Sequence, residues 1–178
     1  ALTNYRQGDK PDGEAPSRGA LVADFLVGDA DAPDYGAALT SRAERYRGFN
    51  LLLSDGRNLS YCSNRGAGSI CLAPGIYGLS NHLLDTPWPK LSAAKSAFSA
   101  ALGGLPADEP FFKLLADREI VADPNLPDTG VAREWERVLS AVFVASPLYG
   151  TRASTLVTMH RNGNVRFIER SFGPVGAP

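Results

Sequence analysis

Leu156-Val157-Thr158-Met159-His160-Arg161-Asn162-Gly163-Asn164-Val165-Arg166-Phe167-Ile168 is the stretch whose reading decides the fold. Asn-Gly is a strong short-range hairpin signal, because both residues tolerate the positive φ of a tight turn. Folding about Asn162-Gly163 pairs Thr158 with Phe167, Val157 with Ile168 and Met159 with Arg166. Val157 and Ile168 then share one face, and Leu156 and Phe167 share the other. A hairpin with apolar groups on both faces is expected to be covered on both. Strands covered on two sides, in a chain with several helical segments, predict an α+β layered sandwich.

The rest of the chain supplies the layers. Ala1 to Tyr5 reads as the end of a strand, and Gln7 to Ala15 as a polar Gly/Pro loop. Ser17 can cap a helix to about Val27, with Leu21, Val22, Phe25 and Leu26 on one face. Pro33 suits the first turn of a second helix, to about Tyr46, with Tyr35, Ala38 and Leu39 apolar. Phe49 to Leu53 is an apolar run bounded by turn signals, which suits a buried strand. Asp55-Gly56 turns into a strand from Leu59 to Cys62. Ile70 to Leu72 and Ile76 to Leu79 are further strand expectations. Pro89 starts a helix to Leu102 that Gly103-Gly104 stops, and Pro110 starts another to about Asp117. Asp123 to Gly130 reads as irregular, and Glu134 to Leu139 as helical. The Gly/Pro-rich segment from Gly173 to Pro178 reads as a flexible tail, leaving residues 1–172 as a single domain.

Bulk properties bound the function. The chain has 178 residues, 44% hydrophobic and 21% charged, with a net charge of −1. That is an ordinary globular composition. The near-zero charge and the lack of a basic run interleaved with aromatics argue against nucleic acid as a partner. No stretch approaches the roughly 20 apolar residues that span a bilayer. Two cysteines do not make a disulfide scaffold. A hairpin centred on Arg65-Gly66-Ala67-Gly68 would set Cys62 opposite Cys71. The alternative reading is two small, mostly buried, reduced side chains. With so few Cys and His, no metal site is expected.

The segment Gly75 to Lys90, Gly-Ile-Tyr-Gly-Leu-Ser-Asn-His-Leu-Leu-Asp-Thr-Pro-Trp-Pro-Lys, has no clean period. Turn formers, polar groups and a Trp between prolines read as a shaped loop, the kind that carries sites or joins a strand to a helix. His82 within it is a candidate ligand for a metal or haem iron. Trp88 either lines a hydrophobic pocket or staples the loop to the core. His160, beside the tight turn, reads as solvent-exposed. Trp135 with Val131, Val138 and Leu139 reads as ordinary helix burial, with Glu134, Glu136 and Arg137 as a solvated face.

Several segments, in order, resemble one family. They are Leu2-Thr3-Asn4-Tyr5-Arg6, Pro16-Ser17-Arg18-Gly19, Gly48-Phe49-Asn50-Leu51-Leu52, Ser63-Asn64-Arg65, the Gly75–Lys90 loop, Tyr149-Gly150-Thr151-Arg152-Ala153-Ser154-Thr155 and Phe167-Ile168-Glu169-Arg170-Ser171-Phe172. Together they resemble the NRDE-motif family, also called the transport and Golgi organisation family, over nearly the whole chain. Family members open with Met-Cys and an Asn-Arg-Asp-Glu motif. This chain starts later, so it reads as an incomplete, N-terminally truncated domain.

The resemblance implies an αββα sandwich like that of the N-terminal-nucleophile hydrolases, and a cytoplasmic protein of haem trafficking. Haem, or another small hydrophobic ligand, is then the expected partner, with Tyr5, Arg6, Ser80, His82 and Trp88 as candidate ligand-binding residues. The alternatives are an amidohydrolase or acyltransferase acting on an acyl substrate, whose Cys nucleophile lies upstream of this chain, or an inactive fragment. N-terminal-nucleophile chemistry needs Cys, Ser or Thr at the first position, with its α-amine as base. Ala1 has no such group. Asn4 and Asn81 are candidate oxyanion donors, and Arg152 a candidate fork for a carboxylate or phosphate. The structural readings are local hydrogen bonds for the two Asn and an ion pair with Glu169 or Asp85 for Arg152.

Overall fold

The computed structural model describes residues 1–8 and 15–177. Most of the loop expected over Gln7 to Ala15 lies outside the described residues, as does Pro178. The chain is mixed α and β, with five α-helices and two antiparallel sheets among the described residues. It divides into two compact units, Ala1–Thr86 and Pro87–Pro178.

The first unit is a four-stranded antiparallel sheet with two helices. Its strands β1 (Leu2–Asn4), β2 (Phe49–Ser54), β3 (Leu59–Ser63) and β4 (Gly68–Cys71) lie in sequence order. Helices α1 (Gly19–Val27) and α2 (Ala32–Thr40) precede β2. The run Phe49–Leu53 forms the predicted buried strand. Phe49, Leu51 and Leu53 join Leu21, Tyr35, Leu39 and Cys62 in one core. Gly36 lets α2 approach β4, because a Cβ there would sit 2.2 Å from Ser69 Oγ.

Local chemistry sets the helix ends. Asp31 caps α2 by accepting from Asp34 N–H at 2.9 Å, and Ser17 Oγ accepts from Gly19 N–H at 3.3 Å. The second helix stops at Thr40 rather than near Tyr46. There the Thr40 and Ser41 hydroxyls bond back to Gly36 O and Ala38 O, competing with continuation. A 3-10 turn follows at Ala43–Arg45. Leu26 and Ala38 are exposed, contrary to the expected apolar faces. Leu26 is rotated about 100° from Phe25, past the edge of the buried stripe, and Ala32 and Gly36 take Ala38's place.

Two strand expectations are corrected. Ile76–Leu79 is not a strand. Its Gly78 N–H is taken by the Asp85 carboxylate at 2.8 Å, and Tyr77 O–H reaches back to Ala73 O. Cys62 faces Ser69, and Cys71 faces Ser60. The β3–β4 loop closes as a four-residue turn between Ser63 and Gly68, centred one position before the assumed centre, which moves each partner by two residues. Both cysteines are free; Cys62 is buried, but Cys71 is exposed.

The second unit contains α3 (Pro89–Leu102), α4 (Glu109–Leu115), α5 (Arg133–Val138) and the hairpin β5 (Ala153–Met159) with β6 (Val165–Ser171). Helices α3, α4 and α5 lie where the sequence places them. Phe98 meets Phe111 edge-on at 5.4 Å, tying α3 to α4. The tail carries a 3-10 turn at Pro174–Gly176, with Arg118 donating to Gly176 O.

The hairpin exists, with a register one residue from the expected one. Val157 faces Phe167, Leu156 faces Ile168 and Met159 faces Val165. The loop is Arg161-Asn162-Gly163, three residues, with Gly163 at φ +87°. A three-residue loop places glycine at the left-handed position after a type I turn, whereas a two-residue loop would centre Asn162-Gly163. One residue of slip exchanges the faces. Leu156 and Ile168 share the side where Arg166 forks onto Asp108 (2.6 Å), Arg170 pairs with Glu109 (2.6 Å) and stacks over Phe112 (3.9 Å). Val157, Met159, Val165 and Phe167 lie on the other face and are exposed, Phe167 at 65%. Cover on both faces is therefore not found within the second unit.

Candidate functional site

Asn50 is the centre from which the site is built. It is fully buried in β2, the one amide inside an apolar run. Its Nδ2 donates to Thr3 Oγ1 (3.2 Å) and His82 O (3.0 Å), and its Oδ1 accepts from Tyr61 O–H (2.8 Å). Tyr61 in turn accepts from Leu84 N–H at 3.2 Å. One amide therefore fixes β1, β3 and the 80s loop together, satisfied at each of these atoms.

The loop is then stitched along β1. Thr3 Oγ1 donates to Ser80 O (2.8 Å), Arg6 N–H to Asn81 O (2.6 Å) and Asn81 Nδ2 to Asn4 O (2.9 Å). Asp85, held at φ +57°, exchanges hydrogen bonds with Gly78. This is a shaped loop, as its composition predicts.

Tyr5, His82 and Thr86 form a relay on this platform. Thr86 O–H donates to Leu83 O at 2.8 Å, so its oxygen accepts from His82 Nδ1–H, also at 2.8 Å. That places the His82 proton on Nδ1 and leaves Nε2 as acceptor for Tyr5 O–H at 2.6 Å. The rings lie 4.8 Å apart. Burial holds the His82 pKa below its ordinary value. A neutral imidazole with both nitrogens engaged orients the Tyr5 phenol; it does not offer a lone pair to a metal.

The structure therefore brings Tyr5, Arg6, Ser80, Asn81 and His82 together within the first unit. Arg6 is buried beside the loop. Asn81's bond to Asn4 O joins positions far apart in sequence, so it is structural without being local. Asn4's side chain is exposed at the end of β1. Trp88 and Arg152 belong to the second unit. Trp88 is 9% exposed at the start of α3, with Lys90 Nζ 6.0 Å from its ring centre, which fits the staple reading. Arg152 is exposed, and within the described residues of its unit it makes no ion pair with Glu169, which accepts from Thr155 at 2.9 Å. His160 is exposed, as read.

Sequence reasoning missed Asn50 and Tyr61 as site residues. The available signal was a lone amide interrupting Phe49–Leu53. It also misjudged which side chains of α5 are buried. Trp135 is 41% exposed, whereas Glu136 is buried and accepts from Thr129 N–H (2.9 Å) and O–H (2.5 Å). Consecutive helical residues point about 100° apart, so one can be buried while the next is exposed.

The second unit holds a groove of about 800 Å³ between α3 and the α4 region. Ala97, Ala100, Ala101 and Gly104 form one wall, and Pro110 and Leu114 the other. Lys113, Asp117 and Arg118 stand at its polar side. Small side chains on α3 leave the space. Among the described residues, no group of three or more His, Cys, Asp or Glu is placed to hold a metal ion. No helix among them is long and apolar enough to cross a membrane.

Comparison with known proteins covers the same span. Residues 1–174 match the family model described as Transport and Golgi organisation 2. The chain is 40% identical over 188 aligned residues to the Transport and Golgi organization protein 2 homolog of Bos taurus. It is 37% identical to the mouse and 38% identical to the human homolog. Each alignment takes in 96% of this chain and 67% of the relative.

Proposed function

The chain belongs to the Transport and Golgi organisation 2 family, and on that footing we propose that it is a cytoplasmic binding protein that carries a small hydrophobic ligand, haem foremost. The observation carrying this reading is the α3–α4 groove. Its volume of about 800 Å³ lies within the range of small-molecule sites. Its walls are mainly carbon, and Lys113 and Arg118 outnumber Asp117 at the polar side. That pattern suits a flat apolar body with carboxylates at one edge, which describes haem. The lining has no His, Cys, Met or Tyr, so in this site haem would be held by its ring and propionates rather than through its iron. The two free thiols accord with a reducing compartment.

The αββα layering implied by the resemblance belongs to the same reading. Each unit contributes an antiparallel sheet, with helix packed on it in each case. The acyl-transfer alternative takes its nucleophile from a Cys upstream of this chain; among the described residues, Cys62 and His82 are not poised to replace it. Cys62 is buried, its thiol pushed up to about 11, and His82 has both nitrogens engaged.

Haemin titration followed at the Soret band tests the proposal. Saturable binding is expected, weakened by Lys113→Glu and abolished by Ala100→Trp, which fills the groove. Lack of saturable binding by the unsubstituted protein would overturn the haem reading; binding indifferent to Ala100→Trp would remove the groove from it.

A further inference from the structure

Leu148 is the most exposed large apolar side chain among the described residues, at 91%. It does not sit on a loose segment. Ser146 N–H and Oγ–H both donate to Tyr149 O (3.1 and 2.6 Å), and Tyr149 N–H donates back to Ser146 Oγ (3.1 Å). A bridge between Ala145 and Gly150 closes the base of the turn, backed by Thr151 N–H to Val144 O at 2.8 Å. Gly150 permits this closure, since a Cβ there would lie 3.1 Å from Val144 O. Pro147 and Leu148 are thus presented at the tip of a fixed turn, and covering them costs little ordering entropy.

Aromatic residues with polar ends flank the tip. Tyr149 is 56% exposed, and its ring meets Trp135 edge-on at 6.1 Å. Between α5 and the turn is a notch of about 280 Å³, lined by Trp135, Val138, Pro147 and Leu148 with Glu134 and Ser146 at its edge. The neighbouring charge is already balanced: Arg137 pairs with Asp123 at 2.5 Å. The patch is apolar at its apex, amphipathic at its flank and without strong net charge.

Size selects the occupant. A handful of side chains falls well short of the roughly 800 Å² per partner of a standard protein interface, so a second copy is a poor fit. A lipid surface needs no matching area. It accepts an aliphatic tip below the headgroups and holds Trp and Tyr at the boundary, where their apolar rings and polar ends are both satisfied. We propose that the Ser146–Tyr149 turn, with Trp135, is a shallow anchor for a neutral lipid bilayer surface. Insertion of so few side chains is weak and reversible.

The test uses the whole chain and phosphatidylcholine vesicles. Trp88 is buried, so a blue shift of tryptophan emission on adding vesicles reads Trp135. The expected result is a blue shift that brominated lipids quench and salt leaves unchanged, with co-sedimentation. Leu148→Ser should lower the partition coefficient about tenfold, the scale of losing one buried Leu from an apolar phase. Leu148 supports no core, so this variant should keep the circular dichroism spectrum. No shift at millimolar lipid would overturn the proposal. So would an equal shift in Leu148→Ser, or binding confined to anionic vesicles and abolished by salt. Self-association lost in Leu148→Ser, with no vesicle binding by either protein, would assign the patch to a second copy instead.

Discussion

His82 shows what a single side chain decides in this fold. Burial lowers its pKa from the ordinary 6.5, so the unfolded chain takes up a proton before the folded one does. The stability contributed by neutral His82 is therefore fully present above the ordinary value and is lost as pH falls through the folded value. The expected outcome is a melting temperature that drops more steeply between pH of about 7 and about 5 in the unsubstituted protein than in His82→Gln. Identical pH slopes in differential scanning calorimetry would show that the loop does not depend on this proton. Asn50 sets a larger effect. Replacing it by Ala strands the Tyr61 hydroxyl and His82 carbonyl, at a cost of roughly 2–3 kcal/mol, measurable by urea denaturation. Tyr5 and His82 were legible in the sequence as residues of shaped segments. Their joint dependence on Asn50 was not, because the contacts that make it a hub span tens of residues and leave no local pattern.

At the scale of elements, helices were the legible part. Pro at a first turn and Gly after a last one bracket α3 at the residues the sequence names, because both signals are local to the backbone. Hairpin registers were not legible, because they depend on how many residues the turn uses, and Asn-Gly fits more than one loop length. The three-residue loop makes Gly163 the position under strain. Gly163→Ala must hold a Cβ at φ +87°, and is expected to cost about 1–2 kcal/mol in thermal or urea unfolding. Asn162→Ala, whose residue needs no positive φ, should cost clearly less; equal costs would argue for a two-residue turn. Glu136 tests α5 similarly. Glu136→Ala leaves the Thr129 N–H and O–H without their acceptor, and should destabilise by about 1–3 kcal/mol, whereas Glu134→Ala, at the solvent side, should fall within about 0.5 kcal/mol.

For the whole molecule, composition and alternation gave the α+β class, since they report how much apolar surface must be buried. They did not report which faces are covered within each compact unit, because that depends on partners distant in sequence. The resulting asymmetry has a measurable consequence. Strands β2 and β3 are flanked by strands on both sides and carry the buried residues Phe49, Leu51, Leu53 and Cys62. The β5–β6 hairpin is two-stranded, with Val157, Met159, Val165 and Phe167 open on one side. Local opening draws on the least buried pairings, and a two-stranded ribbon is the weakest independent sheet. Native-state hydrogen exchange should therefore find the slowest amides in β2 and β3, and distinctly faster exchange in β5 and β6. Phe167→Ser, on the open face, should leave stability nearly unchanged, while Leu51→Ala in the core should cost roughly 3–5 kcal/mol. If β5 and β6 exchange as slowly as β2 and β3, and Phe167→Ser is as costly as a core change, the outer face of the hairpin is covered in solution.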